Sequence, residues 1–319
     1  MVESRHRVAI AVVDAGGHVV LARGDVERPI YPRSAIKPLQ ALPLIETGAA
    51  AAFTLDDRAL ALACASHNGE PRHTEVVEAW LRRIGCTVAD LECGVHPPYH
   101  RPTAEALIRA GQAPSALHNN CSGKHAGFLT VARHLDVPTR GYIRFEHPVQ
   151  QRVLGVLEAM TGLDLGAAPR GIDGCGIPVI GIPLGNLALA MARFADPHDQ
   201  PQVRQDACTR LRAAMTGEPF MVAGSGRFCT RAIEAADARA VVKTGAEGVF
   251  CAAIPDSGLG IALKVEDGAT RAAEVAMAAA LIRFGVPGIE AAGLHRTPLH
   301  NRAGTRVGEV RIAGGAAGL

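Results

Sequence analysis

Strand-like patterns cluster at the two ends of this chain, and that order decides what it can fold into. Residues 7–14 read as a buried strand, followed by a turn at Ala15-Gly16-Gly17 and a second strand over 18–23. The pattern returns only near the other end, in AVVKTG (240–245), GVFCAAIP (248–255) and GIALKV (260–265), with turns at AEG and DSG. A short strand is expected near 306–312 and a long Ala-rich helix over 269–284. Between the two ends, residues 100–215 carry mainly helical periodicity. The expectation is an α/β fold, with one antiparallel sheet assembled from both ends and a mainly helical region inserted between them. We expect a single catalytic domain over 1–312 with a helical lobe at about 100–220, then a flexible tail at 313–319.

A net charge of +2 and an aromatic content of 4% give no surface for nucleic acid. No segment approaches the roughly 20 apolar residues of a membrane span. The first residues lack the features of an export signal, and the eight cysteines form no CxxC pair. Reduced thiols and a cytoplasmic location are therefore expected. Without a P-loop or GxGxxG there is no expectation of a nucleotide or other organic cofactor, and without GxSxG none of a nucleophile elbow.

Lysine is the residue type that directs attention. Only four of the 33 basic residues are lysines: Lys37, Lys124, Lys243 and Lys264. Where arginine is otherwise used almost throughout, a retained lysine marks a place where a neutral amine is useful, because arginine stays protonated. Lys37 closes Ser34-Ala35-Ile36-Lys37, at the start of an apolar-periodic run over 34–48 that Pro38 and Pro43 should kink or split. Three residues apart on a helix, a serine and a lysine share a face, and a neutral amine can take the hydroxyl proton. The bland alternative is a serine cap followed by a solvated lysine. Lys243 begins Lys243-Thr244-Gly245 at the end of a strand, a motif that in penicillin-recognising serine enzymes lines the same site as SxxK. Ser66-His67-Asn68 echoes the SxN element of those enzymes, so Ser66 could pair with Lys243 and Asn68 could meet substrate.

The stretch HNNCSGKHAGF sets Cys121, Lys124 and His125 within one turn, and GIDGCGIPV sets Asp173 and Cys175 two residues apart. An extended backbone would turn those last two to one side. Cys121 and Cys175 could give two thiolates to zinc, with His125 the conventional further ligand. An anion-binding loop beside two buried cysteines is the alternative.

Taken together, PRSAIKPLQALPLIETGAA, CASHNGEP, HNNCSGKHAGFL, IDGCGIPV and KTGAEGVFCA resemble, in this order, the thermolabile-type asparaginase II family, the class 3 L-asparaginases. The resemblance runs from about residue 5 to 290. It implies a serine β-lactamase/glutaminase-like fold, usually as a homodimer, that hydrolyses the side-chain amide of L-asparagine. It implies two Ser–Lys couples, Ser34 with Lys37 and Ser66 with Lys243. Lys264 lies close enough in sequence to compete for the last role. It also implies a zinc ion on Cys121, Lys124 and Cys175 that orients substrate without doing the chemistry. Arg33, His125, Asp173 and Asn68 are the candidate substrate contacts, Arg33 for the α-carboxylate. The alternatives within the enzyme class are a glutaminase or a penicillin-recognising serine hydrolase. Outside it stands an amino-acid- or zinc-binding protein on the same fold.

Overall fold

The computed structural model describes residues 1–314, so most of the expected tail, 315–319, lies outside the described residues. The described chain divides into two compact units, one of 1–36, 181–199 and 231–314, the other of 37–180 and 200–230.

The first unit holds the sheet. Strands β1 (Val8–Asp14), β2 (Val19–Arg23), β3 (Val241–Thr244), β4 (Val249–Ile254) and β5 (Leu259–Val265) line up in the order β2-β1-β5-β4-β3, every neighbour antiparallel. The two chain ends meet at the β1–β5 ladder, where Val8 faces Val265 and Asp14 faces Leu259. Every residue of β4 is buried, as a strand covered on both faces must be. The helix Thr270–Arg283 packs against β4 and β5, and the helix Leu184–Ala195 packs against β1, β4 and β5. Leu184–Ala195 falls inside the stretch expected to form the helical lobe, yet it belongs to the sheet. Gly260 makes its seat possible: a side-chain carbon there would lie 2.1 Å from Ala188 O and from Ala192 N. The helix backbone thus rests on the strand backbone, and any side chain at 260 would overlap it. The last strand, Arg306–Arg311, pairs with Arg296–His300, a partner that the sequence pattern did not reveal. Pro298 in that partner weakens its strand signal, and both strands stand outside the main sheet.

The second unit is mainly helical and begins at Lys37, well before the lobe expected from the sequence. The run after Ser34 divides as its prolines require, into a 3₁₀ turn over Arg33–Ile36 and short helices Lys37–Gln40 and Leu42–Glu46. The longer helices are Pro71–Arg83, Ser122–His134, Pro148–Thr161 and Gln202–Gly217. Ser122–His134 is buried over its first 11 residues, so every polar side chain there must find an internal partner. Trp80 shows the rule: its Nε1–H donates to Thr130 Oγ1 at 2.9 Å, and that hydroxyl donates to Ala126 O. No helix among the described residues is long and apolar enough to cross a membrane.

Candidate active site

Lys37 is completely buried. Its amine meets three oxygens, Ala65 O, Ser66 Oγ at 3.1 Å and Asn120 O at 3.4 Å, and also the Cys121 sulfur. That set can satisfy both protonation states. A neutral amine donates to the two carbonyls and accepts the Ser66 hydroxyl proton. An ammonium donates to all three, and only the Ser66 O–H turns round. Burial holds Lys37 below the usual lysine range, against the pull of nearby Cys121, while Lys124 pushes the same way as burial. The sequence pairs Lys37 with Ser34, but the hydroxyl it is bonded to is that of Ser66.

Ser66 stands on an extended segment whose amides alternate. Ser66 N–H donates to Val222 O and Asn68 N–H to Ala223 O, while His67 N–H donates the other way to Asn120 O. Side chains 66 and 68 therefore share one face and His67 takes the other. His67 is a framework residue. Its Nδ1 accepts from Gly69 N–H, its Nε2–H donates to Ser122 Oγ at 2.9 Å, and that hydroxyl donates to Leu117 O. Asn68 is buried and also spends its amide on protein: Nδ2 donates to Glu70 Oε1 and Ser225 O, and Oδ1 accepts from Arg227 Nη1 at 2.8 Å.

Ser34 and Lys243 belong to the sheet unit. The 3₁₀ turn that carries Ser34 packs against β3 and β4, and Lys243 lies on β3 opposite Cys251. Arg33, just before Ser34, has a φ of +52°, a left-handed backbone that costs a non-glycine residue roughly 1 kcal/mol or more. Such strain is held in place most often where a neighbouring side chain must be presented at a fixed angle. Lys243 is 1% exposed and donates to Thr244 O at 2.7 Å. Lys264, its competitor, is half-buried on β5 and bonds to Val265 O.

Cys121, Lys124 and Cys175 come together in the helical unit. Lys124 Nζ lies 3.0 Å from Cys175 Sγ, and Cys121 Sγ is hydrogen-bonded to Cys175 and to Lys37. The two thiols share one ionisation. Cys175 donates to Cys121, which holds the Cys121 thiol well below its ordinary range and pushes Cys175 up. Lys124 and Lys37 also face Cys121 and lower it further against burial. Burial works against a charged Lys124, but Cys121, Cys175 and Asp173 together outweigh it and raise the amine. The two buried lysines thus diverge, Lys37 towards the free amine and Lys124 towards the ammonium.

Asp173 and Cys175 are joined by a turn rather than the extended backbone their spacing suggested. Gly176 N–H donates to Asp173 O, and the turn links Arg170–Ile172 to Pro178–Ile180. Cys175 still faces the carboxylate, with Sγ 3.9 Å from Asp173 Oδ2.

His125 differs from His67. Its Nδ1 lies 2.7 Å from Tyr142 Oη, which accepts from Glu92 N–H at 2.8 Å. The one phenol proton then points to Nδ1, so the His125 proton sits on Nε2. That Nε2 is fully buried and has no partner among the described residues. Burial first, then Lys124 and Lys37, keeps the ring neutral. A buried donor left unmatched costs about 1–3 kcal/mol. Tyr142 escaped sequence reading, although the chain has only three tyrosines and a fully buried one must match its hydroxyl.

The sequence model of the family described as L-asparaginase II matches residues 1–312. The chain belongs to the L-asparaginase II family. It is therefore an asparaginase-type amidohydrolase. No curated protein sequence matches the chain. Similar solved structures include a beta-lactamase from Mycobacterium bovis at 17% identity, covering 88% of this chain and 95% of that one, with a TM-score of 0.41. Another is the D-alanine carboxypeptidase AmpC from Burkholderia cenocepacia at 13% identity, covering 82% and 88%, with a TM-score of 0.40. Both likenesses are loose, and the family assignment rests on the sequence match. Among the described residues of this asparaginase II family member, no group of three or more His, Cys, Asp or Glu side chains is set to hold a metal. The Cys121–Lys124–Cys175 set, with its lysine, is of a different kind.

Proposed function

We propose that this protein hydrolyses the side-chain amide of L-asparagine to L-aspartate and ammonia through a serine-bound acyl intermediate. The observation that carries the reading is the Lys37 amine, buried and matched by the same three oxygens in both protonation states. That is what a reversible proton carrier needs. Ser34, three residues earlier and behind the strained Arg33, attacks the amide carbon, and its proton passes to Lys37. Backbone N–H groups at the start of the helical run meet the oxyanion. The Lys37 proton passes to Ser66 Oγ as the Ser66 proton passes to the departing ammonia. Lys243 supports this relay with its charge. Water then cleaves the ester: Lys37 accepts its proton and returns it to the Ser34 oxygen as the C–O bond breaks. His125, through Nε2–H, and Asp173 contact the amino acid.

Cys121, Lys124 and Cys175 fit a zinc ion, since two sulfurs and an amine converge in a buried place and the Cys121 thiol is held low. Bound there, zinc would supply a positive centre for a substrate oxygen. Binding would release the Lys124 and Cys175 protons, so affinity should rise with pH. Purified protein is expected to carry zinc, measured by release to a chromogenic chelator, and Cys121→Ser to carry at least tenfold less. Equal zinc in both would remove the site. We also propose a homodimer, which sedimentation velocity distinguishes from a monomer.

Turnover of asparagine, glutamine and the chromogenic β-lactam nitrocefin tests the reading. Ammonia release from asparagine should exceed that from glutamine, because one extra methylene in a fitted pocket costs about tenfold or more. Faster glutamine turnover would make the protein a glutaminase, and nitrocefin turnover with none of asparagine a penicillin-recognising hydrolase. Calorimetric binding of asparagine without ammonia would leave only a binding protein.

A further inference from the structure

We infer that Arg227 is the residue that grips the α-carboxylate of the amide substrate, an inference that rests on the asparaginase reading. The loop that bears it is built for one arrangement. Gly224 sits at a φ of +106°, where a side-chain carbon would fall 2.5 Å from Glu70 Oε1 and 3.0 Å from Asn68 Cβ. Ser225 donates to Glu70 twice, through N–H to Oε1 and through its hydroxyl to Oε2, both at 2.7 Å. Thr230 Oγ1 ties Gly224 O at 2.8 Å, and the Val222 and Ala223 carbonyls hold the Ser66–Asn68 segment itself. All of this fixes the loop against Ser66, Asn68 and Glu70.

Arg227 is what the arrangement presents. Its guanidinium is half-buried and makes one hydrogen bond, to Asn68 Oδ1. Glu70, the buried carboxylate of the network, is taken up by Ser225 and Asn68, with His100 Nδ1 3.8 Å from Oε2, and among the described residues it forms no ion pair with Arg227. A guanidinium has five N–H donors in a planar fork, so one bond to a neutral amide leaves the fork and its charge available for an anion. Asn68 stands two residues from Ser66 on the same face of an extended segment, a separation of about 7 Å. That is the scale of a single amino acid. Asparagine's carboxylate lies three bonds from its side-chain carbonyl carbon, so a carboxylate at Arg227 sets the amide towards Ser66. Asn68 thereby becomes the residue that positions Arg227, and Arg33 is left as the presenter of Ser34.

The test compares asparagine with 3-aminopropanamide, which is asparagine without its carboxylate, in wild type, Arg227→Gln and Arg227→Lys. Arg227→Gln should raise KM for asparagine by about 10- to 100-fold, with a smaller change in kcat. Arg227→Lys should fall between, since it keeps the charge and loses the fork. For 3-aminopropanamide, kcat/KM should be alike in all three, which a loop merely disordered by the substitution would not allow. An unchanged KM for asparagine in Arg227→Gln, with wild type active, overturns the inference and leaves the asparaginase reading intact. So does an equal loss on both substrates. If wild type releases no ammonia, that reading fails, and calorimetry of asparagine binding decides the inference. Weaker binding in Arg227→Gln sustains it, and equal or absent binding in both proteins overturns it.

Discussion

Lys37→Met is expected to lower ammonia release from asparagine by about 10²–10⁴-fold, the contribution of a positioned proton carrier. Methionine keeps the length and apolar stem of the lysine but has no amine. The Ala65 and Asn120 carbonyls lose a partner at about 1–3 kcal/mol. The loss of a buried amine that water no longer solvates offsets part of that cost, so the variant should stay folded. Lys37→Arg should be as inactive, because a guanidinium cannot give up its proton at any working pH. In wild type the rate should rise as pH climbs through the lowered Lys37 value, since the free amine is the acceptor. The same group stabilises the fold most above the ordinary lysine pKa of 10.5, and that stability is lost as pH falls through the lowered folded value. Steady-state ammonia assays with thermal melts check both points. Turnover within tenfold of wild type in a folded Lys37→Met would remove Lys37 from the chemistry.

Ser34→Ala and Ser66→Ala should separate two roles. Without Ser34 no acyl adduct should appear by intact mass after rapid quench with asparagine, and turnover should fall by about 10³-fold or more. Without Ser66 the adduct should still form, with turnover lower by about 10²-fold, because proton delivery to ammonia is impaired. Peptide mapping that places the adduct on Ser66 in wild type would exchange the two assignments. The strained φ of Arg33 favours the first arrangement, and the direct Lys37–Ser66 hydrogen bond is the observation that makes the second worth testing.

Much of the frame was legible because its signals are local. The short apolar runs within Val8–Asp14 and Leu259–Val265, bounded by turn residues, specified buried strands, and opposite chain ends could meet only in one sheet. Pro38 and Pro43 announced the broken helical run by removing donors. The site was legible as a set of residue types, since SxxK, KTG and CSGKH each place reactive groups at short spacing. Their partners were not. Lys37 finds Ser66 29 residues away, and Arg227 finds Asn68 across 159. No periodicity records such bonds, which depend on how helices stack. The placement of Leu184–Ala195 failed for the same reason: its helical pattern was plain, but the strand it rests on is selected by one glycine in a distant segment. Asp173 and Cys175 were read as extended because spacing alone cannot distinguish a strand from the turn that Gly176 permits.

The chain's single indole, Trp80, is sealed inside the helical unit with its N–H matched by Thr130. Emission near 340 nm during a urea titration therefore watches that unit, while far-ultraviolet dichroism watches the whole backbone. Midpoints that coincide would mean cooperative melting of the entire protein. Separate midpoints would give the free energy of each part from one unlabelled sample.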